Sequence, residues 1–571
     1  MAKRKISKLC LLVILIAVAA LMASAQSFQV QCPASTITHP FHAVAGVDCS
    51  KNPNAPGCNN DEPTYNGATT FTTNQQGFAA PVPDTVNGAI KCQQISGGDG
   101  FATMGDGTQT YLFSFGPLSG LKDMADGKPG TEFPTVFNTL PPANLVPLKP
   151  GDPATRDGLT ANGFPSDISG FPLDTSAFNY NGAVGLTSDR DAIADGLCAA
   201  PCLDGHVDPR QIMDVGVMNG NIPAPLMAID EDDEFFLTLT NVGMVMRPDL
   251  FEQHTVHFHG YPNASAFYDG VPDASVAINI GGSFTYYYLA PDAGTYFWHC
   301  HITPPEHLQM GMVGQIYVRP RQNRYNGDLY AGLQKQQQDL RTKCDSREIL
   351  CSNSLPAVNT SASNDGTKKY AYNDGDGSTQ YDVEYPLQIH GFDPNFHFVG
   401  MTFNPEAFVD MKDKYFLLNG RSYPDTVTPG ALATQSTDGV MHFSQPLPAI
   451  INIPAGGKAL LRISDLDVTE FQTLASLGIP MQVIALNAKL LRDQSGNNLY
   501  YKTNSITLGG GESLDVILDA SGIPAGTYYL YSPNLDHLSN DAENFGGLMT
   551  EVHVCSGGIT GGNTFGNTCA N

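Results

Sequence analysis

The chain has 571 residues, 58 of them glycine and 40 proline, with only 15% charged residues and a formal charge of −26. That length exceeds what one hydrophobic core ordinarily serves, so two to three domains are expected. The acidic excess argues against nucleic acid and anionic membrane surfaces as partners, since either would repel the chain as a whole, and leaves cations as the easier ones.

The N-terminus carries Lys3, Arg4, Lys5 and Lys8, then an apolar run from Leu9 to Met22, then Ala23-Ser24-Ala25. This is a signal-peptide pattern over residues 1–25, cleaved after Ala25. The apolar run is shorter than the roughly 20 residues a spanning helix needs and no second such run follows, so no membrane span is expected. A secreted protein, periplasmic or extracellular, is the expectation. Of the twelve cysteines, Cys10 leaves with the signal and Cys300 is set aside for chemistry. The even remainder suits an oxidising compartment. Proximity pairs Cys49 with Cys58, Cys198 with Cys202, Cys344 with Cys351 and Cys555 with Cys569, leaving Cys32 with Cys92. None has the paired CxxC spacing of a zinc site, so they are expected to be loop staples.

Residues 26–84 are polar and weakly periodic, which predicts an irregular, disulfide-bearing extension without a core of its own. A strand-like run, TYLFSFGPL at 110–118, precedes Pro/Gly/Asp/Asn-rich sequence expected to be an insertion over 119–210. Strand signals return at 212–219, 235–242, 283–289, 295–301 and 314–318, giving one β-domain over 85–320. The acidic run Asp230 to Glu234 is expected to be a solvated turn before a strand, and His39, His42 and His206 to be surface histidines. Residues 321–380 look like a linker with a short helical stretch near 327–341. A second strand series predicts a domain over 381–555, followed by a tail over 556–571. Val/Ile/Thr/Tyr/Phe-rich runs between turn signals make the whole chain all-β.

The chemistry is concentrated in HTVHFHG (His254–Gly260) and HCHITPPEHLQMGM (His299–Met312). On a strand, alternate side chains share a face, so His257 points with His259 and His299 with His301, while Cys300 points away from its neighbours. Two metal environments on two faces follow. One thiolate, two imidazoles and a thioether form the donor set of a blue copper site. Cys300, His307 and Met312 arrive on one loop and His254 comes from the other segment.

Both segments resemble the copper motifs of multicopper oxidases (laccase-like proteins) of the cupredoxin superfamily, with a second likeness to copper nitrite reductases. The match extends through GSFTYYYLAPDAGTYFWHCH. FLLNGRSYPDT, LLRIS, GIPMQVIAL and GGLMTEVHV resemble the copper-free middle domain of such oxidases. The resemblance implies two cupredoxin-like Greek-key β-sandwich or barrel domains. It implies type 1 copper on His254, Cys300, His307 and Met312, type 2 copper at His257, and a type 3 pair at His259, His299 and His301. Asp269, in YDG, resembles the family's proton-relay aspartate. The implied activity is a copper-dependent oxidase, with a small-molecule or metal-ion reductant giving electrons at the type 1 site. They would pass through Cys300 to His299 and His301, and dioxygen would be reduced.

The chain also departs from the pattern. Five residues, Ile302 to Glu306, separate His301 from His307 where laccases usually have three, which is nitrite-reductase-like. The family's trinuclear cluster takes four histidines from each of two domains, and the second domain offers His390, His397, His442, His537 and His553 with no HxH pair. A complete cluster would need a homo-oligomer sharing it between chains. The nitrite reductase pattern is broken as well, by Pro533 after GTYYLYS and by His257 in place of an acid, with His537 as a substitute ligand. The alternatives are a non-enzymatic blue-copper electron carrier, favoured by the missing second-domain ligands, and a copper nitrite reductase. The histidine on each side of Cys300 favours an enzyme, because a simple carrier has no use for both.

Overall fold

A computed structural model of the chain describes residues 29–41, 60–67, 69–73, 77, 79–125, 127–140, 181–197, 202–207, 212, 218–219, 221–261, 265–290, 292–338, 354–401, 407–435 and 441–570. The predicted signal peptide, His42, and Cys10, Cys49, Cys58, Cys198, Cys344 and Cys351 lie outside these residues.

The first set of strands is β1 (Ile90–Thr103), β2 (Gln109–Pro117), β3 (Met227–Asp230), β4 (Glu234–Asn241), β5 (His257–His259), β6 (Ser283–Leu289), β7 (Gly294–His299) and β8 (Val313–Arg319). They form two sheets, in the orders β6-β4-β1-β2 and β5-β7-β8-β3. β1 runs parallel to β4, and β3 parallel to β8. Parallel neighbours far apart in sequence require crossovers between the sheets, which makes this a sandwich rather than a string of hairpins. Alternation along the strands turns Leu237 and Leu239, Tyr286 and Tyr288, and Ile316 and Val318 into a shared core with Phe113, Phe115 and Trp298. The second set comprises β9 (Val383–Phe392), β10 (Tyr415–Leu418), β11 (Ile451–Pro454), β12 (Lys458–Asp465), β13 (Gln472–Leu477), β14 (Met481–Leu486), β15 (Ser505–Leu508), β16 (Glu512–Asp519), β17 (Gly526–Tyr531) and β18 (Met549–Cys555). These build the sheets β10-β9-β12-β16-β14 and β11-β18-β17-β13-β15 around a separate aliphatic core. The chain is all-β, as the composition predicts.

The two sandwiches meet through buried polar contacts. Gln315 Nε2 donates to Arg462 O (2.9 Å) and to Ser464 Oγ (3.0 Å), and Ser513 Oγ donates to Thr295 O (2.8 Å). Buried Arg462 pairs with Glu384 (2.7 Å) and packs over the Tyr317 ring. Such a pair is costly to break, because removing either partner leaves an uncompensated buried charge.

Two expectations are corrected, those for the acidic run and for His39. Val30 of the extension packs with Ile90, Leu118, Leu121, Phe137, Val184 and Leu186 in one buried cluster. The Cys32–Cys92 disulfide fastens the extension there. Its apolar residues are drawn from distant segments, so no local periodicity announces them. The acidic run Asp230 to Glu234 is buried, not solvated. Arg321 donates to Asp232 (2.7 Å) through Nε and to Glu231 (2.6 Å) through its backbone N–H, so the compensating cation sits some ninety positions along the chain. His39 is likewise buried, with Nδ1 2.7 Å from Glu234. The Cys555–Cys569 bond forms as expected, and the helix Leu329–Gln337 falls within the predicted helical stretch. Among the described residues no helix is long and apolar enough to cross a membrane.

Candidate metal centre

β5 and β7 pair antiparallel with His257 opposite His299, Phe258 opposite Trp298 and His259 opposite Phe297. The period-two alternation sends Phe258 and Trp298 into the core. On the other face the His257 ring lies 5.6 Å from His259, 5.2 Å from His299 and 5.0 Å from His301, centroid to centroid. Cys300 follows the last residue of β7 and turns inward, fully buried. One peptide unit therefore separates the buried sulfur from imidazoles on the opposite face.

On the buried side, His307 Nδ1 lies 3.2 Å and His254 Nδ1 3.9 Å from Cys300 Sγ, and Thr255 N–H donates to the sulfur (3.5 Å). His307 is carried by the helix Pro304–Gln309, the five-residue spacer after His301 providing its first turn. Met312, buried, accepts through its carbonyl from Cys300 N–H (3.1 Å) and donates its own N–H to His307 O (2.9 Å), so the loop closes on itself. Gly97 of β1 makes room for the site, because a Cβ there would meet the His254 ring at 2.7 Å. Burial alone would raise the Cys300 thiol, but the His307 charge and hydrogen bonds from both imidazoles hold it well below its ordinary range. Burial lowers His307, yet the Cys300 charge and hydrogen bond, with Glu252, push it up to about 10. Without metal, their mutual attraction favours the thiolate and imidazolium forms of the pair. Two nitrogens converging on a buried thiolate, beside a methionine, fit the donor set of a blue copper ion.

On the open side, ring nitrogens of His257, His259 and His299 all lie within 4.8 Å of one another. His257 Nδ1 donates to Asp269 O (2.6 Å) and His299 Nδ1 to Cys300 O (2.8 Å). A carbonyl oxygen only accepts, so both Nε2 atoms are left as lone pairs, the form a metal requires. Burial, then the neighbouring histidines, lowers His299 to about 3. Asp269 also places Oδ1 3.4 Å from His257 Nδ1.

Residues 204–323 match the family model described as multicopper oxidase. This segment is a multicopper-oxidase domain. It is similar to a laccase of Aspergillus fumigatus at 34% identity over 109 residues, which cover 19% of this chain and 17% of that protein. A multicopper oxidase of Mycobacterium tuberculosis is 36% identical over 145 residues, 24% of this chain and 27% of the relative. A copper-containing nitrite reductase of Rhizobium meliloti is 34% identical over 114 residues, 19% of this chain and 27% of the relative. The matches thus span less than a third of each relative's length.

The histidine face of the multicopper-oxidase domain opens into a cavity of about 520 Å³, whose far wall is the second sandwich. That wall presents Leu466 to Phe471 and the Gly509–Gly511 turn, and none of the residues it contributes to the lining is a histidine. His390, His397 and His537 are buried elsewhere: His397 binds Tyr111 O (2.5 Å) and Gln309 O (2.9 Å), and His537 stacks on Phe416 and binds Glu470 (2.9 Å). Glu252 stands 3.4 Å from His307 Nε2, and the Gln309 side chain anchors the His307 helix to Asp413 (2.9 Å). Neither Glu252 nor Gln309 stands out in the sequence. Glu252 lies two residues before His254 outside any motif, and Gln309 acquires its role only from a partner a hundred residues away.

Proposed function

We propose that this chain is a copper-dependent oxidoreductase. It takes electrons singly from a small reductant or metal ion at the His254, Cys300, His307 and Met312 site and hands them to dioxygen at the histidine face. One observation carries the reading: the buried thiolate and the histidine cluster are joined by Cys300 and its two chain neighbours. When bound, copper would supply reversible one-electron redox on the buried side and oxygen activation on the open side. The residues supply the rest. Cys300 provides a desolvated thiolate with a fixed N–H donor from Thr255, and the Glu252 edge of His307 is where a reductant approaches. His299 and His301 flank the sulfur's backbone, and His257 is oriented by Asp269, the family-like proton acceptor and donor. Four histidines of one face are half of a trinuclear set, so a type 2 and type 3 cluster of the family's kind would draw its other half from a second copy of the chain. Disulfides favour export into an oxidising compartment.

A nitrite reductase is the second reading, favoured by the Rhizobium relative. The experiment that decides is one redox cycle of the copper-loaded protein. A blue band bleached by a reductant and restored by dioxygen supports the oxidase, restoration by nitrite alone supports the reductase, and restoration by neither leaves an electron carrier.

A further inference from the structure

Behind the far wall of the cavity lies a pair of carboxyls that the histidine chemistry does not account for. Asp413 and Asp467 are 7% and 3% exposed. A Cβ on Gly391 would sit 2.3 Å from Asp413 Oδ2 and 2.5 Å from Asp467 Oδ2, so the two carboxyls face each other over a residue that must lack a side chain. Asp413 Oδ1 accepts from Gln309 Nε2 (2.9 Å) and its Oδ2 from the Thr469 hydroxyl. Asp467 Oδ1 accepts from Thr469 N–H (2.8 Å) and Glu470 N–H (3.1 Å), and its Oδ2 from Gln472 Nε2 (2.6 Å). All these partners are neutral, and among the described residues no lysine or arginine pairs with either carboxyl. The other titratable groups around the pair are Asp465, His390, Glu470, Glu512 and Asp393, and burial keeps His390 toward its neutral form. Two buried anions side by side without a cation are costly, which favours a proton held at Asp413. Burial first, then the Asp467 charge, accordingly raises Asp413 well above the ordinary carboxyl range.

Asp467 and Thr469 also line the cavity that the four histidines line. We propose that the Asp413 and Asp467 pair is a proton store serving oxygen reduction in that cavity, an inference that rests on the oxidase reading above. Reduction of dioxygen to two waters consumes four electrons, from the one-electron reductant, and four protons. The pair releases its shared proton into the cavity: the carboxyl O–H bond breaks, an O–H bond forms on the reduced oxygen, and the dicarboxylate left behind is short-lived. A proton from solvent then restores the pair through the cavity mouth, where Glu470 is 42% exposed.

Asp413→Asn is the test, because its amide can donate to Asp467 in place of the shared proton. Infrared difference spectra of wild type minus D413N, on the same chain with and without copper, are expected to contain a protonated-carboxyl band at neutral pH. Reoxidation of the reduced blue site by dioxygen is expected to slow by about a hundredfold, with the blue absorption unchanged. Asp467→Asn, made in parallel, is expected to lose the same band should D413N fold poorly. A difference spectrum with only ionised-carboxylate bands overturns the proposal, as does normal reoxidation of D413N. Wild-type protein that dioxygen never reoxidises overturns the oxidase reading itself, whatever the infrared result.

Discussion

The two faces of the β5 and β7 strand pair hold sites of opposite character. On the inner face His254, Cys300 and His307 are each fully buried, and every donor comes from one sandwich. On the outer face the histidines stand at the edge of that sandwich, and what they meet depends on the second one. A site inside one core has its geometry set by that core's packing, as Gly97 against His254 shows. A site between two bodies keeps only half of its geometry when one body changes, and here the facing wall carries carboxyls and glycines.

The largest expected effect breaks the inner face alone. Cys300→Ser removes the blue absorption completely while leaving metal uptake at the histidine face, measured by metal content and EPR. Next comes the pH dependence of copper uptake. His307 is pushed up to about 10 in the metal-free protein and must lose its proton to serve as ligand. Apparent affinity of the blue site is therefore expected to rise about tenfold per pH unit from neutrality toward that value. The sign is opposite for the metal-free fold. The raised His307 loses its contribution as pH climbs from its ordinary 6.5 through about 10, while the contribution of the lowered Cys300 grows until its ordinary range near about 8.5; the two cancel below that range, so thermal stability without copper falls only from there toward about 10. His299→Ala sharpens the comparison from the other side, by weakening metal uptake at the outer face with the blue band retained. The smallest effect belongs to Asp269→Asn. His257 is held by the Asp269 backbone oxygen, so outer-face metal affinity is expected to fall by less than the roughly tenfold typical of lost orienting partners.

The inner site was legible in the sequence because its residues crowd into two short segments and their spacing obeys strand alternation. β6 and β7 were legible too, through uninterrupted Tyr, Phe and Trp runs. β1 was not, since its ISGGDG stretch has the composition of a loop, and the reason for Gly97 appears only once His254 lies against it. The buried acidic run was misread for a related reason: charge run and solvated turn look alike until Arg321 is brought alongside. The far wall of the cavity was invisible, because Asp413, Asp467 and Gln309 are unremarkable alone and become a unit only where the sandwiches meet.

The most direct test is to load the full chain with copper, count copper per chain, and record visible and EPR spectra on the same sample together with its oligomeric mass. The account predicts one blue copper per chain and additional copper, without blue absorption, that His299→Ala removes. One blue copper per chain and no other signal in any oligomer would contradict the outer face as a metal centre and leave an electron carrier.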